Sequence, residues 1–355
     1  MMARYWAQIR AVIRLEMKKT FLARRGFWVY VLAFAPALMF AAHDLSMLRS
    51  REERSAIAAA HPVPEQALRS IQPGLTREEV IAQLGEPNVD DRSVRFRRTR
   101  REFLTYTDGR SRYLFGFADG QLESVSIREE ETLPQDSLIF ATVFQFFFLR
   151  LAIFFGCVGI FTNLFRGEMI DKSLHYYLLA PLRREALLIG KYLAGLLATV
   201  VIFTTSAALQ LWLLLAPYGS SSVSQFLQTG GWRQIAGYLG VTALACLGYG
   251  SVFLASGLFF RNPLIPAGAV LLWESANLFL PAALKRISVI FYLQSLCPVV
   301  APPDRQINPL LALLISSAEP APAALAIAGL FALTAIVLVL AARKARTLEI
   351  SYGAD

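Results

Sequence analysis

The chain has 355 residues, a net charge of +9, and 55% hydrophobic residues. Soluble domains are about 45–50% apolar, and the excess here is gathered in long runs, which excludes an ordinary soluble domain. The charge does not describe a nucleic-acid-binding face. Between Asp44 and Ser137, 14 arginines meet 17 acids, a net of −3, and the remaining 21 basic and 9 acidic residues, net +12, gather at the ends of apolar runs, where membrane topology accounts for them.

The first 26 residues are basic and lack a small-residue cleavage site, so the first span is expected to stay attached. Within them Ile9, Ile13, Met17 and Phe21 recur every four residues beside a row of Arg10, Arg14 and Lys18. That pattern predicts an amphipathic helix on an anionic membrane face; a plain basic leader that only sets orientation is the simpler reading. The first span is placed at residues 27–43 and contains Pro36, a site for a kink. A polar insert occupies residues 44–137. Within it Thr76 and Glu79 have capping-box spacing, Leu75 and Val80 sit at staple positions, and Gly85 and Pro87 stop the helix. Asp108-Gly109 and Asp119-Gly120 then separate "FLTY", "RYLFGFA" and "LESVSI", which predicts a three-stranded antiparallel meander. The basic run "RSVRFRRTR" reads either as a solvated hairpin edge or as a contact for anionic lipid or polysaccharide.

The second span covers Leu138 to Phe165, the third Ala186 to Ala216 and the fourth Ile235 to Phe260; Pro217 to Ser224 reads as a loop. A turn at Arg261-Asn262-Pro263 leads into a fifth span ending near Leu284. Residues 287–318 hold two short apolar runs split by Pro302, Pro303 and Asp304. The second run is too short to cross roughly 30 Å of hydrocarbon, so a re-entrant hairpin is expected. The last span, Ala321 to Ala342, ends in a basic tail at residues 343–355. The fold class is therefore mainly α: a polytopic membrane helix bundle of six spans plus an outer re-entrant hairpin, with a small α+β extracytoplasmic domain. With that topology 16 Lys and Arg lie on the side of the N-terminus and 4 on the other. The bias puts both termini in the cytoplasm.

Between the second and third spans, residues 166–185 break the apolar sequence with charge. Taken as one helix ended by Pro181, the segment places Ile170, Leu174, Tyr177 and Leu178 on one face and Glu168, Asp171, Lys172 and His175 on the other. Such a helix either docks its apolar side chains in a soluble partner or lies on the headgroups. The succession of Glu168, Asp171, "LHYYLLAPLRREALLIGKYL", Pro181, Arg184, Gly190 and Lys191 resembles the permease subunits of ABC-2 type exporters. The six-span count, the amphipathic N-terminal helix and the broken hairpin before the last span are similar to that family too. The resemblance implies that two permease chains pair, as a homodimer or with a sibling, and that each grips an ABC ATP-binding subunit through Glu168, Met169, Ile170, Asp171, Leu174, Tyr177 and Leu178. ATP and Mg would be held by that subunit, because this chain has no Gly-x-x-x-x-Gly-Lys-Ser/Thr loop. No cofactor is expected in this chain.

The insert resembles the envelope domain of BamE (SmpA/OmlA) lipoproteins over residues 70–128, through Pro73, Gly74, Leu75, Thr76, Leu84, Gly85 and Pro87. Phe103 and Tyr106 stand where that family's aromatic strand carries a Trp. The resemblance implies a non-catalytic periplasmic module that binds a partner or substrate.

Arg150 and Glu274 fall inside apolar runs. A lone charge at mid-span costs about 2.5–3.5 kcal/mol or more. Both are expected to face a pathway, with Asn277 beside them, unless the second run starts late and leaves Arg150 at the outer headgroups. Cys157, Cys246 and Cys297 lie in apolar stretches and are expected to be packing residues. His43, His61 and His175 are scattered, no catalytic or metal-ligand set is found, and enzyme activity in this chain is not expected. The expected function is export across the bacterial inner membrane driven by a separate ATPase. The alternative is a membrane scaffold whose insert organises envelope assembly.

Overall fold

The computed structural model describes residues 2–22, 26–60, 63, 65–96, 99–128, 132–171, 173–179, 182–298 and 321–347. The chain forms two compact units, one of Met1–Phe40 with Leu133–Asp355 and one of Ala41–Thr132. Helix α1 (Met2–Leu22) is followed by α2 (Phe27–Ala60). The latter begins where the first span was expected and continues past residue 43 without a break. The charged stretch from Asp44 masks this continuation in a hydropathy reading, because charge ends an apolar run without ending a helix.

The smaller unit contains α3 (Glu65–Ser70), α4 (Arg77–Leu84) and the strands β1 (Val89–Phe96), β2 (Thr99–Thr107), β3 (Arg112–Ala118) and β4 (Gln121–Arg128). The expected capping box is formed. The Thr76 amide donates to Glu79 Oε2 at 2.8 Å, and the Glu79 amide donates to Thr76 Oγ1 at 3.4 Å. Just ahead of it, Gly74 N–H donates to Leu122 O and Leu122 N–H to Leu75 O, at 2.9 and 2.8 Å, so the Pro-Gly-Leu-Thr segment fastens α4 to β4. The expected meander is β2–β3–β4, and β1 adds a fourth antiparallel strand in the order β1-β2-β3-β4. That strand, Val89-Asp-Asp-Arg-Ser-Val-Arg-Phe96, has charge where an apolar alternation would have revealed it. Asp119 and Gly120 both have positive φ, as the two-residue turn between Ala118 and Gln121 requires. Val80, Leu84, Leu104, Tyr106, Tyr113, Phe115, Phe117 and Leu122 form a core of this unit's own.

In the larger unit α5 (Leu133–Val143), a π-helical stretch (Phe144–Ile153) and α6 (Phe154–Phe161) run on as one rod. Next come α7 (Arg166–Ile170), α8 (Leu174–Leu179), α9 (Arg184–Leu215), α10 (Ser220–Phe226) and, after a π turn, α11 (Trp232–Phe259). The Pro217–Ser224 loop is thus partly helical. The chain continues through α12 (Leu264–Ala276), α13 (Ala282–Lys285), α14 (Val289–Leu296) and α15 (Ala323–Arg346). Among the described residues five helices are long and apolar enough to cross a bilayer: Phe27–Ala60, Leu133–Ile170, Arg184–Leu215, Ser220–Phe259 and Ala323–Arg346. These mark a multi-pass membrane protein.

The expected continuous fifth span is not among them. Helix α12 has 13 residues, about 20 Å at 1.5 Å per residue, and breaks into a 3₁₀ turn at Asn277–Phe279 followed by Pro281. Of the expected 287–318 hairpin, α14 supplies the first half; residues 299–320 lie outside the described residues.

Packing fixes the direction of each helix within this unit. The Arg184 guanidinium donates to Arg346 O at 2.6 Å, and Arg346 pairs with Glu185 at 2.5 Å, so α15 ends beside the start of α9. Helix α1 lies on that same start, with Ile9 and Val12 against Gly190. The first helix, the segment between α6 and α9, and the end of the last helix therefore share one end of the bundle. The interior is rich in rings: Phe140, Phe144 and Tyr238 form one cluster, and Phe154, Tyr249 and Phe253 another. Cys157, Cys246 and Cys297 are buried free thiols. Beside Pro36, Ser206 donates to Ala33 O at 2.5 Å, a side-chain tie of the kind that steadies a proline-containing span.

The capping box gives the smaller unit an acid-sensitive contact. The hydrogen bond from the Thr76 amide holds the Glu79 carboxyl below its usual 4.5. Because the folded value is lowered, the stabilisation is complete above about pH 4.5 and is lost as pH falls through the lowered value. The protection factor of the Thr76 amide, corrected for the intrinsic pH dependence of exchange, should therefore fall below about pH 4.5, and Glu79→Gln should remove that pH step.

Candidate functional site

Lys191, in the second turn of α9, is fully buried. A buried ammonium must find anions, and here it finds two. Its Nζ lies 2.6 Å from Glu16 Oε1 and 2.8 Å from Glu168 Oε2. Glu16 belongs to α1 and Glu168 to α7, so one cation joins three elements. Lys19, one turn beyond Glu16, reaches Glu168 Oε1 at 3.0 Å and donates to the Tyr177 hydroxyl at 2.9 Å. Tyr177 in turn donates to Glu16 Oε1 at 2.8 Å. The Lys191 ammonium sits 4.7 Å from the centre of the Tyr177 ring and 5.5 Å from that of Phe165, within cation–π range. Among the described residues two ammonium groups meet two carboxylates here. Burial, then the nearby Glu16 and Glu168 carboxylates, raise the pKa of Tyr177 well above its ordinary value, so the phenol keeps the proton it donates.

Gly190 precedes Lys191 for a physical reason. A Cβ there would lie 2.7 Å from Val12 Cβ and 3.3 Å from Ile9 O, so only glycine lets α1 come close enough for Glu16 to reach the lysine. The Gly190-Lys191 pair is thus a helix-packing device. In the second turn of α9, the Lys191 ammonium is engaged by two carboxylates of this chain.

The expected single helix over this segment is two helices, α7 and α8, separated at Asp171–Ser173. Glu168 and Tyr177 both face Lys191, yet nine residues at about 100° each would put them on opposite sides of one continuous helix. Satisfying the lysine requires the break. The two expected faces change accordingly. Glu168 is buried, Leu174 is 1% exposed and Met169 is packed on the core, whereas Ile170, Tyr176 and Leu179 are 64%, 69% and 80% exposed. Asp171 is exposed as well. Glu168 pairs with Lys191 and Lys19; its expected neighbour Lys172, like Pro181, and the side chains of His175 and Leu178 lie outside the described residues. Between α1 and α8 a groove of about 420 Å³ is lined by Val12, Leu15, Lys19, Tyr176, Tyr177 and Leu182.

Glu16 and Lys19 escaped the sequence reading, which treated α1 as an apolar stripe beside a basic one. The signal was present: Glu16 falls on the stripe of Ile9, Val12 and Ile13, where a lone acid has to meet a partner.

Deeper in the same unit, Glu274 at the end of α12 accepts four hydrogen bonds. The Val289 and Ile290 amides donate at 3.0 and 2.7 Å, the Ser288 hydroxyl at 2.9 Å and the Tyr249 hydroxyl at 3.3 Å. Asn277 is buried, with its amide nitrogen 3.5 Å from Lys285 O. Arg150 lies on the π-helical stretch near the middle of its rod, away from either helix end. Glu274 and Tyr249 act on it electrostatically, but no carboxylate among the described residues forms an ion pair with it. Arg150 and Glu274 are thus near each other without a contact, since Glu274 is engaged by the start of α14.

Removing one partner of a buried ion pair costs about 3–5 kcal/mol. Lys191→Met should therefore lower the unfolding midpoint of the purified chain sharply. Lys191→Met combined with Glu16→Gln should recover part of the loss, and a double-mutant cycle read by thermal unfolding in detergent measures the coupling. No family model, curated protein or solved structure matches this chain.

Proposed function

We propose that the chain is the transmembrane permease subunit of an ABC-2 type exporter of the bacterial inner membrane, driven by ATP hydrolysed on a separate ABC subunit. The observation that carries this reading is the anchoring of the α7–α8 segment to α1 and α9 through Lys191. A partner that pulls on the exposed Ile170, Tyr176 and Leu179 pulls on a buried ion network, and through it on two helices of the bundle.

The end bearing α1, α7 and α8 is the cytoplasmic one in this reading, supported by the excess of Lys and Arg there. Helices α12 and α14 then act as one interrupted crossing. Val289 lies against Gly248 near the middle of α11, and Pro298 lies against Gly237 near its start. Helix α14 thus continues outward from the depth at which α12 stops. Their 13 and 8 residues amount to about 32 Å of helix, close to a hydrocarbon thickness. Six crossings leave both termini cytoplasmic and the insert periplasmic. Discontinuous helices at mid-depth are usual where membrane proteins carry substrates.

Two such chains, identical or siblings, would each hold one ATP-binding subunit, which supplies the nucleotide and Mg chemistry. The insert, with its own core and its likeness to BamE-type domains, serves as a periplasmic contact module. In the competing reading the spans merely anchor that module.

The two readings differ in one measurement. Tagged chain purified in mild detergent from its native host should bring down an ABC ATPase. The double substitution Ile170→Glu and Leu179→Glu, at exposed positions, should reduce recovery of the ATPase about tenfold or more, as for loss of interface anchors, while the permease elutes unchanged. Failure of any nucleotide hydrolase to copurify, or labelling of a Leu179→Cys variant from the periplasmic side only, would leave the scaffold reading.

A further inference from the structure

Arg150 is the charged group that the two networks above leave over. It belongs to the π-helical stretch Phe144–Ile153, between α5 and α6, and π turns within helices recur at functional sites. It stands about midway along the Leu133–Phe161 rod and is half-buried. Its Nε is buried without a hydrogen-bond partner. The Phe146 ring lies 5.3 Å from its guanidinium, and the buried Leu149 and the exposed Leu151 flank it in sequence.

Glu274 cannot release it. That carboxylate receives two backbone amides and two hydroxyls. Swinging toward Arg150 would strip the acceptor from the first turn of α14, where buried amides need one. Glu274 therefore tempers the local field without satisfying the guanidinium donors. A guanidinium offers a planar fork that matches the paired oxygens of a phosphate or carboxylate, and here the fork is bordered by apolar side chains.

We propose that Arg150 is an anion-recognition point within the bundle, taking the phosphate or carboxylate head of an amphipathic molecule whose apolar part lies along Phe146 and its neighbours. This rests on the exporter reading for its meaning as a substrate site, and it narrows the cargo to anionic amphiphiles. The site itself is a binding property of the chain alone.

The test is equilibrium binding of radiolabelled dodecyl phosphate to the purified full chain in neutral maltoside micelles. Saturable binding of one dodecyl phosphate per chain is expected, unaffected by an equal concentration of dodecyltrimethylammonium. Arg150→Gln should weaken it at least tenfold, and Arg150→Lys, which keeps the charge and loses the fork, by less. Equal unfolding midpoints show that the variants are folded. If inorganic phosphate fails to compete, the anion is recognised on its apolar tail; if it competes at similar concentration, the head alone is recognised, and both results support the site. Non-saturable binding to the wild-type chain overturns the proposal even if no variant folds, as does wild-type affinity in Arg150→Gln. An ATPase that copurifies alongside absent dodecyl phosphate binding removes this site and leaves the exporter reading. Saturable binding without any ATPase does the reverse.

Discussion

A lysine with no exposed surface is the constraint on which the architecture at one end of the larger unit turns. The ammonium of Lys191 cannot be buried alone, and the two carboxylates that satisfy it come from different elements, so α1, α7 and α9 are held as a set. The neighbouring features follow from that requirement. Gly190 is small because α1 must approach closely enough to present Glu16. The segment after α6 breaks at Asp171–Ser173 because Glu168 and Tyr177 must both turn inward. Lys19 adds the second ammonium from the next turn of α1. Each of these residues is polar or small in a place where apolar packing would be simpler, and each is explained by the same cation.

The interior of the bundle treats its other charges by different means. Glu274 is held by the buried amides in the first turn of α14, an arrangement that joins α12 to α14 across their gap, with no cation among the described residues in contact. The same carboxylate that could have neutralised Arg150 is thereby committed. The competition is decided by geometry: two amides and two hydroxyls at hydrogen-bond distance, in a place with little water, outweigh a guanidinium beyond contact range.

What the sequence disclosed depended on whether the signal was local. Long apolar runs located the second, third, fourth and last spans within a few residues, and the start but not the end of the first helix to cross. The capping box at Thr76 and Glu79 and the Asp-Gly turns located the helix and three strands of the insert, because every partner lies within four residues or across a two- to four-residue turn. The failures share the opposite property. The partners of Lys191 are 175 and 23 positions away, so the Gly190-Lys191 pair was visible as a pattern and opaque as a mechanism. The break after α12 is capped by amides 15 and 16 residues onward, and hydropathy runs straight through it. Strand β1 pairs with β2 along a charged sequence, and the part of α2 beyond residue 43 is helical without being apolar.

The α7–α8 segment, with Glu168 and Leu174 buried and Ile170 and Asp171 exposed, mixes the two faces that a helical wheel separates. A helix resting on headgroups buries its apolar side chains in lipid and leaves its charges in water, so little connects it to the bundle beyond the chain itself. Here Glu168 and Tyr177 point into the protein and are held there, while Ile170, Tyr176 and Leu179 stand outside. Displacing those outward side chains without breaking the ion network carries Glu168 and Tyr177 with them, and with these Lys191 and Glu16. Because Glu168 and Tyr177 meet the same buried cation as Glu16, a displacement of the segment that keeps the network intact must be shared with α1 and α9.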